Sequence, residues 1–291
     1  MEVGEVIRKI RKNKNIPSNK VYKNVLSRPA VAKFEKGLSD TSVKKFLDIL
    51  DALNISLEEF GVIYKETENQ DLKYTRSYIN AYYSKDLDTL NAIVNSASKD
   101  YLETKNEKYR HYQALVRLLM DDINETDVHK SEIDILKQYL VQCDVWGYYE
   151  IILFTNSLSF YSCEFIDIVY SRAKSTLLKL KNMLRYRNEV ALMLLNILEK
   201  NILSKNIGQA SFYLTELKGL KNNVIDNMYI QTMILYFTLI CKIIDGKYKG
   251  DFEEYNSKIK EIINIFNVLG LSQKAIQCES FYKKVKEIYN I

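Results

Sequence analysis

Proline and glycine are almost absent from most of this chain, and that restricts its fold more than any other feature. Only Pro17 and Pro29 are proline among 291 residues, and six of the nine glycines lie beyond Gly61. The roughly 230 residues after Gly61 therefore lack the residues that tight strand-to-strand turns demand. An all-β fold is excluded and an all-α fold is expected. A hydrophobic content of 47% supports a substantial core and argues against global disorder.

The same sparse punctuation divides the chain. Five short helices fit residues 1–66. The first, near Val3 to Lys12, sets Val6, Ile7 and Ile10 on one side and Arg8, Lys9, Arg11 and Lys12 mostly on the other. Pro17-Ser18 opens the second, with Val21, Tyr22 and Val25 inward. The third begins at Ser27, whose hydroxyl is placed to accept from a first-turn amide. Pro29 falls in its first turn, where a missing amide proton costs nothing, and Gly37 fits the left-handed position past its end. The fourth starts near Thr41 and repeats Val43, Phe46, Leu47, Leu50 and Leu53, and the fifth opens on a capping box, Ser56 with Glu59. Phe60, Ile63 and Tyr64 are expected to close this small core. The polar stretch 67–71 is the expected linker, and residues 72–291 form the second domain.

Charge is as unevenly distributed as proline. The net charge is +5. Residues 1–65 hold 13 Lys/Arg against 8 Asp/Glu, and the rest is neutral. A basic N-terminal end points to a polyanion. The segment Ser27 to Gly37 makes that double-stranded DNA: its Val31 and Phe34 face inward, and Arg28 and Lys33 are offered outward, as insertion into a major groove requires. Arg28 suits bidentate bonding to guanine, and Lys33 suits base or phosphate. Pro29 and Ala30 have no hydrogen-bonding side chains and suit a thymine methyl or close approach. Ser18, Asn19, Lys20, Ser27 and Lys36 suit phosphate contacts.

Beyond residue 72, amphipathic helices follow one another with polar breaks at 84–86, 124–127, 205–208 and 245–250. Gly208 and Gly250 stand 42 residues apart, near one helix pair, and residues 209–214 have a small-then-aromatic pattern, so a TPR-like helical repeat is expected. The longest apolar run, Met233 to Cys241 interrupted by Thr238, is too short to cross a bilayer and reads as a buried helix. With no N-terminal apolar segment, a cytoplasmic protein without membrane contact is expected. Cys143, Cys163, Cys241 and Cys278 have no metal or redox spacing and read as free thiols. No catalytic, metal or cofactor site is expected: there are two histidines, His111 and His129, no HExxH and no glycine-rich phosphate loop, and the adjacent Asp121 and Asp122 point about 100° apart on a helix.

From Val3 to Lys12, from Ser27 to Gly37, and from Leu53 to Phe60, the chain resembles the Rgg (MutR/GadR) family of transcriptional regulators, and Trp146 to Glu150 and Phe266 to Gly270 extend the likeness. The resemblance implies a five-helix Cro/repressor-type helix-turn-helix domain, a TPR-like repeat domain, a homodimer, and control by a short linear peptide pheromone in quorum sensing. Pro29 and Ala30 depart from the family, whose helices more often carry Gln, Ser or Thr there. Twenty of 22 tyrosines lie beyond residue 65, which suits either a peptide groove or aromatic wedges between helices. Candidate peptide contacts are Arg117, Tyr148, Asn196, Tyr229 and Tyr236. Asn196 reads equally as a solvent-facing asparagine, and Arg117 as the partner of an internal acid. Two rival readings stay open: a helix-turn-helix repressor without a peptide, and a helical interaction module that does not bind DNA.

Overall fold

A computed structural model describes residues 2–65, 70–180, 183–220, 227–246 and 252–291. Among the described residues there are sixteen α-helices, one short 3-10 turn and no strand. The contacts divide the chain into two compact units, residues 1–89 and 90–291. The linker expected at 67–71 lies outside the described residues at 67–69, and Gln70 already begins a helix.

The first unit carries α1 (Val3–Asn13), α2 (Ser18–Val21), α3 (Arg28–Phe34), α4 (Val43–Ala52), α5 (Leu57–Lys65) and α6 (Gln70–Tyr83). Its core is Val6, Ile7, Ile10, Val21, Tyr22, Phe34, Ile49, Leu50, Leu53 and Phe60, with Val31 and Phe46 packed against its edge. α1 reaches α3 so closely that a Cβ on Gly4 would lie 1.7 Å from the Phe34 carbonyl oxygen. The Ser56–Glu59 capping box forms, with bonds of 2.6 and 3.1 Å. Gly37 takes the left-handed conformation at φ 70°, and Asn15, Asn24 and Asn54 end other segments the same way.

Three expectations are corrected here. Ser27 precedes α3, but its hydroxyl caps no amide; Ser42 instead accepts from Lys45 N at the start of α4. Val43, Leu47, Ile63 and Tyr64 are exposed, and Ile49 takes the core position. Arg11 is not a solvent-facing cation. Its Nε and Nη2 donate to the two carboxylate oxygens of Glu35 at 2.7 and 2.9 Å, and the Tyr22 hydroxyl adds a third bond at 2.7 Å. Burial raises the Glu35 carboxyl, but the bonds from Arg11 and Tyr22 outweigh it and hold the group below its usual range.

The second unit continues from α7 (Leu87–Thr104) through α8 (Lys108–Asn124), α9 (Lys130–Gln142), α10 (Tyr148–Ser157), α11 (Cys163–Leu180), α12 (Leu184–Leu203), α13 (Ile207–Gly219), α14 (Met228–Asp245), α15 (Phe252–Val268) and α16 (Ser272–Tyr289). Successive helices pair: α8 on α9, α12 on α13, α14 on α15, α15 on α16. The expected breaks fall between helices, at 84–86, at the left-handed Glu125, at Lys205 and at Gly246; residues 247–250 of the last lie outside the described residues. α14 has a mean hydropathy of 1.4 over its 18 residues, but Ile230, Met233, Phe237, Ile240 and Ile243 are buried in the unit's core, so it packs as a core helix. On α6 of the first unit, Tyr74 and Tyr78 are buried, whereas Tyr83 is exposed. His111 of α8 is buried as well, with Nδ1 2.8 Å from the Tyr149 hydroxyl and its ring 4.2 Å from that of Tyr139.

Candidate nucleic-acid interface and ligand strip

In the first unit, α3 exposes one arc. At about 100° per residue, Arg28, Ala32, Pro29 and Lys33 spread over roughly 140° in that order. All four are exposed, whereas Phe34 is buried and Ala30 and Val31 are half-buried. Arg28 and Lys33 therefore stand at the two edges of the outward face, and its middle is Pro29 and Ala32. Ala30, expected in the reading surface, turns towards the core; Ala32 takes its place, a swap that wheel arithmetic on the sequence reveals. Ser18 of α2 is half-buried, and Asn19, Lys20, Ser27 and Lys36 are exposed. The side chains of Lys20, Arg28, Lys33 and Lys36 make no hydrogen bond or ion pair among the described residues. Lys20, Arg28, Lys33 and Lys36 are thus exposed cations without partners, the kind of group that phosphates and base edges attract.

The base of this surface is the Arg11–Glu35–Tyr22 cluster. Glu35 follows α3 directly, so α1 and the chain just after α2 both bond to the end of the reading helix. Two charged side chains of the domain are thereby neutralised internally. Lys14 keeps its charge but is held within the domain, donating to the carbonyls of Leu53 and Asn54 past the end of α4 at 2.9 and 3.0 Å.

In the second unit, α12 packs against α10, α11, α13, α14 and α16. From Tyr186 to Leu203 every side chain is buried or half-buried except Asn196 and Glu199. A helix covered on nearly all sides thus keeps one narrow strip, open at Asn196 and Glu199 and half-buried at Glu189, Leu192 and Leu203. Asn196 and Glu199 make no side-chain hydrogen bond or ion pair among the described residues. The second polar interruption, Glu199, is three residues from Asn196 on the same turn spacing, a signal legible in the sequence.

The other expected peptide contacts divide. Tyr148 stands half-buried beside one end of the strip, its hydroxyl 3.3 Å from Glu189. Tyr229 is half-buried on α14, with the Lys274 ammonium 5.4 Å over its ring. Arg117 is held by Glu132 of α9 at 2.7 Å, the internal-acid alternative. Tyr236 is a correction: it is 1% exposed, its hydroxyl donates to the Cys278 carbonyl at 2.6 Å, and it joins α14 to α16 inside the core. Among the described residues no three His, Cys, Asp or Glu side chains gather as a metal site.

A helix-turn-helix reader followed by a helical repeat domain defines a class of DNA-binding transcriptional regulators. The helix-turn-helix family model matches residues 7–60, and the model for the C-terminal domain of the HTH-type transcriptional regulator Rgg matches residues 95–280. The chain belongs to the Rgg family of transcriptional regulators, a family of regulators and not of enzymes. Its fold is that of solved structures along nearly its whole length. A protein of Listeria monocytogenes EGD-e named as a transcriptional regulator matches with a TM-score of 0.84 at 22% identity, covering 99% of this chain and 98% of that one. The SHP pheromone receptor Rgg2 of Streptococcus dysgalactiae matches at 0.77 and 20%, covering 97% and 99%. PrgX in complex with cCF10 matches at 0.74 and 17%, covering 98% and 92%.

Proposed function

We propose that this chain is a cytoplasmic homodimer that reads operator DNA through α2 and α3 and is controlled by a short linear peptide bound along the open strip of α12. Residues 1–66 read the DNA, and residues 72–291 receive the peptide and pair the subunits. The observation that carries the DNA part is the exposed arc of α3, where partnerless Arg28 and Lys33 flank Pro29 and Ala32 above a sealed core. The middle of that arc offers only apolar surface, so direct base discrimination falls on Arg28 and Lys33, and the remainder on DNA shape and half-site spacing.

The peptide part is supported by the strip itself. Glu189 and Glu199 lie ten residues apart, about 15 Å along α12, the reach of four or five residues of extended peptide. The unpartnered carboxamide of Asn196 lies between them and offers a donor and an acceptor to a peptide backbone. Two of the similar structures are of a pheromone receptor and of a protein bound to cCF10. Peptide binding would select one arrangement of the repeat domain and so change how two reading helices meet their half-sites.

A gel-shift titration of the full chain on the DNA upstream of its own gene tests the first part. A salt-sensitive, sequence-selective shift is expected. Binding that is equal on scrambled DNA, or absent, overturns it and returns the interaction-module reading.

A further inference from the structure

The outward arc of α3 is short in its middle and long at its edges. Ala32 and Pro29 hold the centre, about 60° apart around the helix, and Arg28 and Lys33 flank them with long cationic side chains. Positions three apart on a helix have Cβ atoms about 5–6 Å apart, so Pro29 and Ala32 make one small apolar patch. Both are exposed, and neither side chain can hydrogen-bond. Pro29 removes a backbone donor as well, because it stands in the first turn of α3, where an amide N–H would otherwise be free.

The patch is held at a fixed depth. Phe34 and Val31 on the inner side of α3 pack on the core, a Cβ on Gly4 of α1 would collide with the Phe34 carbonyl, and Arg11 holds Glu35 at the helix end. A short, anchored centre lets the helix backbone come close to whatever it covers, while Arg28 and Lys33 reach past it on both sides.

Base edges in a major groove differ in how they tolerate such a surface. Guanine shows two acceptors, cytosine a donor, and adenine an acceptor and a donor. Pressed against Pro29 or Ala32, each of these groups would lose water and gain no partner. Thymine has one acceptor, but it alone carries an apolar group on that edge, the 5-methyl. A base step rises about 3.4 Å, so a patch of about 5–6 Å spans one or two neighbouring base pairs.

Resting on the DNA reading above, we infer that Pro29 and Ala32 read the 5-methyl groups of one or two adjacent thymines in each half-site. Arg28 and Lys33 make the hydrogen-bonded contacts on either side. The recognised group is the methyl itself, so 5-methylcytosine is accepted over cytosine at the same place.

Selection from a randomised duplex pool with the full chain supplies the DNA for the test. Each thymine of the selected duplex is then replaced, one at a time, by deoxyuridine, which removes the methyl and keeps the pairing edge. Affinity should fall about fourfold, the worth of one buried methyl, at one or two adjacent positions of each half-site and stay level elsewhere. With a C·G pair at such a position, methylating the cytosine at C5 should strengthen binding, and equal binding counts against a methyl contact. Ala32→Gln and Pro29→Gln locate the reader, with thermal melting to verify folding. Each should flatten the deoxyuridine response at its own position, and Ala32→Gln should move the preference there towards adenine, which glutamine bonds at N6 and N7. Should either variant fail to fold or to bind, Ala32→Ser takes its place: a reduced deoxyuridine response supports the contact, and an unchanged one counts against it. Equal binding of thymine and deoxyuridine duplexes at every position overturns the methyl assignment and leaves the DNA reading standing. A deoxyuridine loss unchanged in both glutamine variants assigns the effect to DNA shape and also overturns the contact. A selection that enriches no sequence overturns both.

Discussion

Removing the Glu35 carboxylate strands two partners at once, because Arg11 and Tyr22 both direct hydrogen bonds to it and the Arg11 and Glu35 side chains are only 13% and 12% exposed. Glu35→Ala should therefore destabilise residues 1–65 by about 3 kcal/mol, read as faster hydrogen exchange across α1 and α3 in the full chain. Acid should have the same local effect. The folded carboxyl sits below its ordinary value, so its contribution is complete above the unfolded carboxylate range and disappears as pH falls through the depressed value. Protection factors in α3, corrected for the slower intrinsic exchange in acid, should fall on acidification in wild type and lose that dependence in Glu35→Gln. Arg28 makes a different prediction, since it supports nothing in the fold. Arg28→Ala should leave melting unchanged, weaken operator binding by roughly 1–3 kcal/mol, and relax selectivity at one base position in a gel shift. Sequence pattern separates these two arginines poorly. Arg11 and Arg28 both stand in basic, amphipathic segments, and the acid that claims Arg11 lies 24 residues away. Periodicity shows which way a side chain points; it does not show what has been brought opposite it.

At the scale of elements, helix positions were largely readable because each stop is chemical. Gly37, Gly246 and Asn54 take the left-handed conformation at the ends of segments, and the Ser56–Glu59 box forms as written. What could not be read was coverage. Val43 lies on the same side of α4 as Leu50, but it occupies the opening turn and remains 74% exposed. The same limit explains Tyr236, a tyrosine in an apolar run whose hydroxyl finds a backbone carbonyl on another helix. Tyr236→Phe should cost about 1–2 kcal/mol by leaving the Cys278 carbonyl unpaired, and should not change peptide retention. In α8, burial pulls His111 down to about 4 from the ordinary 6.5. Its neutral form is the folded one, so the stability it gives is complete above pH 6.5 and declines towards pH 4. The melting temperature of the second unit should fall across that window and fall less in His111→Phe, measured by Trp146 fluorescence.

For the whole molecule, the uneven charge becomes a salt dependence. Lys20 and Lys36 from each of two subunits would neutralise about four phosphates, giving a slope near −4 for log affinity against log salt. Lys36→Ala, which removes one contact per subunit, should lower that slope by about 2 without altering which sequence is preferred. A slope unchanged in that variant would place Lys36 away from the backbone. The covered surface of α12 bears on history as well as on binding. Between Tyr186 and Leu203 its other side chains are buried or half-buried, while Asn196 and Glu199 are exposed. Substitutions at those two exposed positions should therefore disturb the fold less than changes at the buried positions of the helix. Duplicated copies of such a gene can diverge in the signal they answer by altering a handful of polar residues. Receptors insulated from one another can then arise within one cell while the scaffold between them hardly changes.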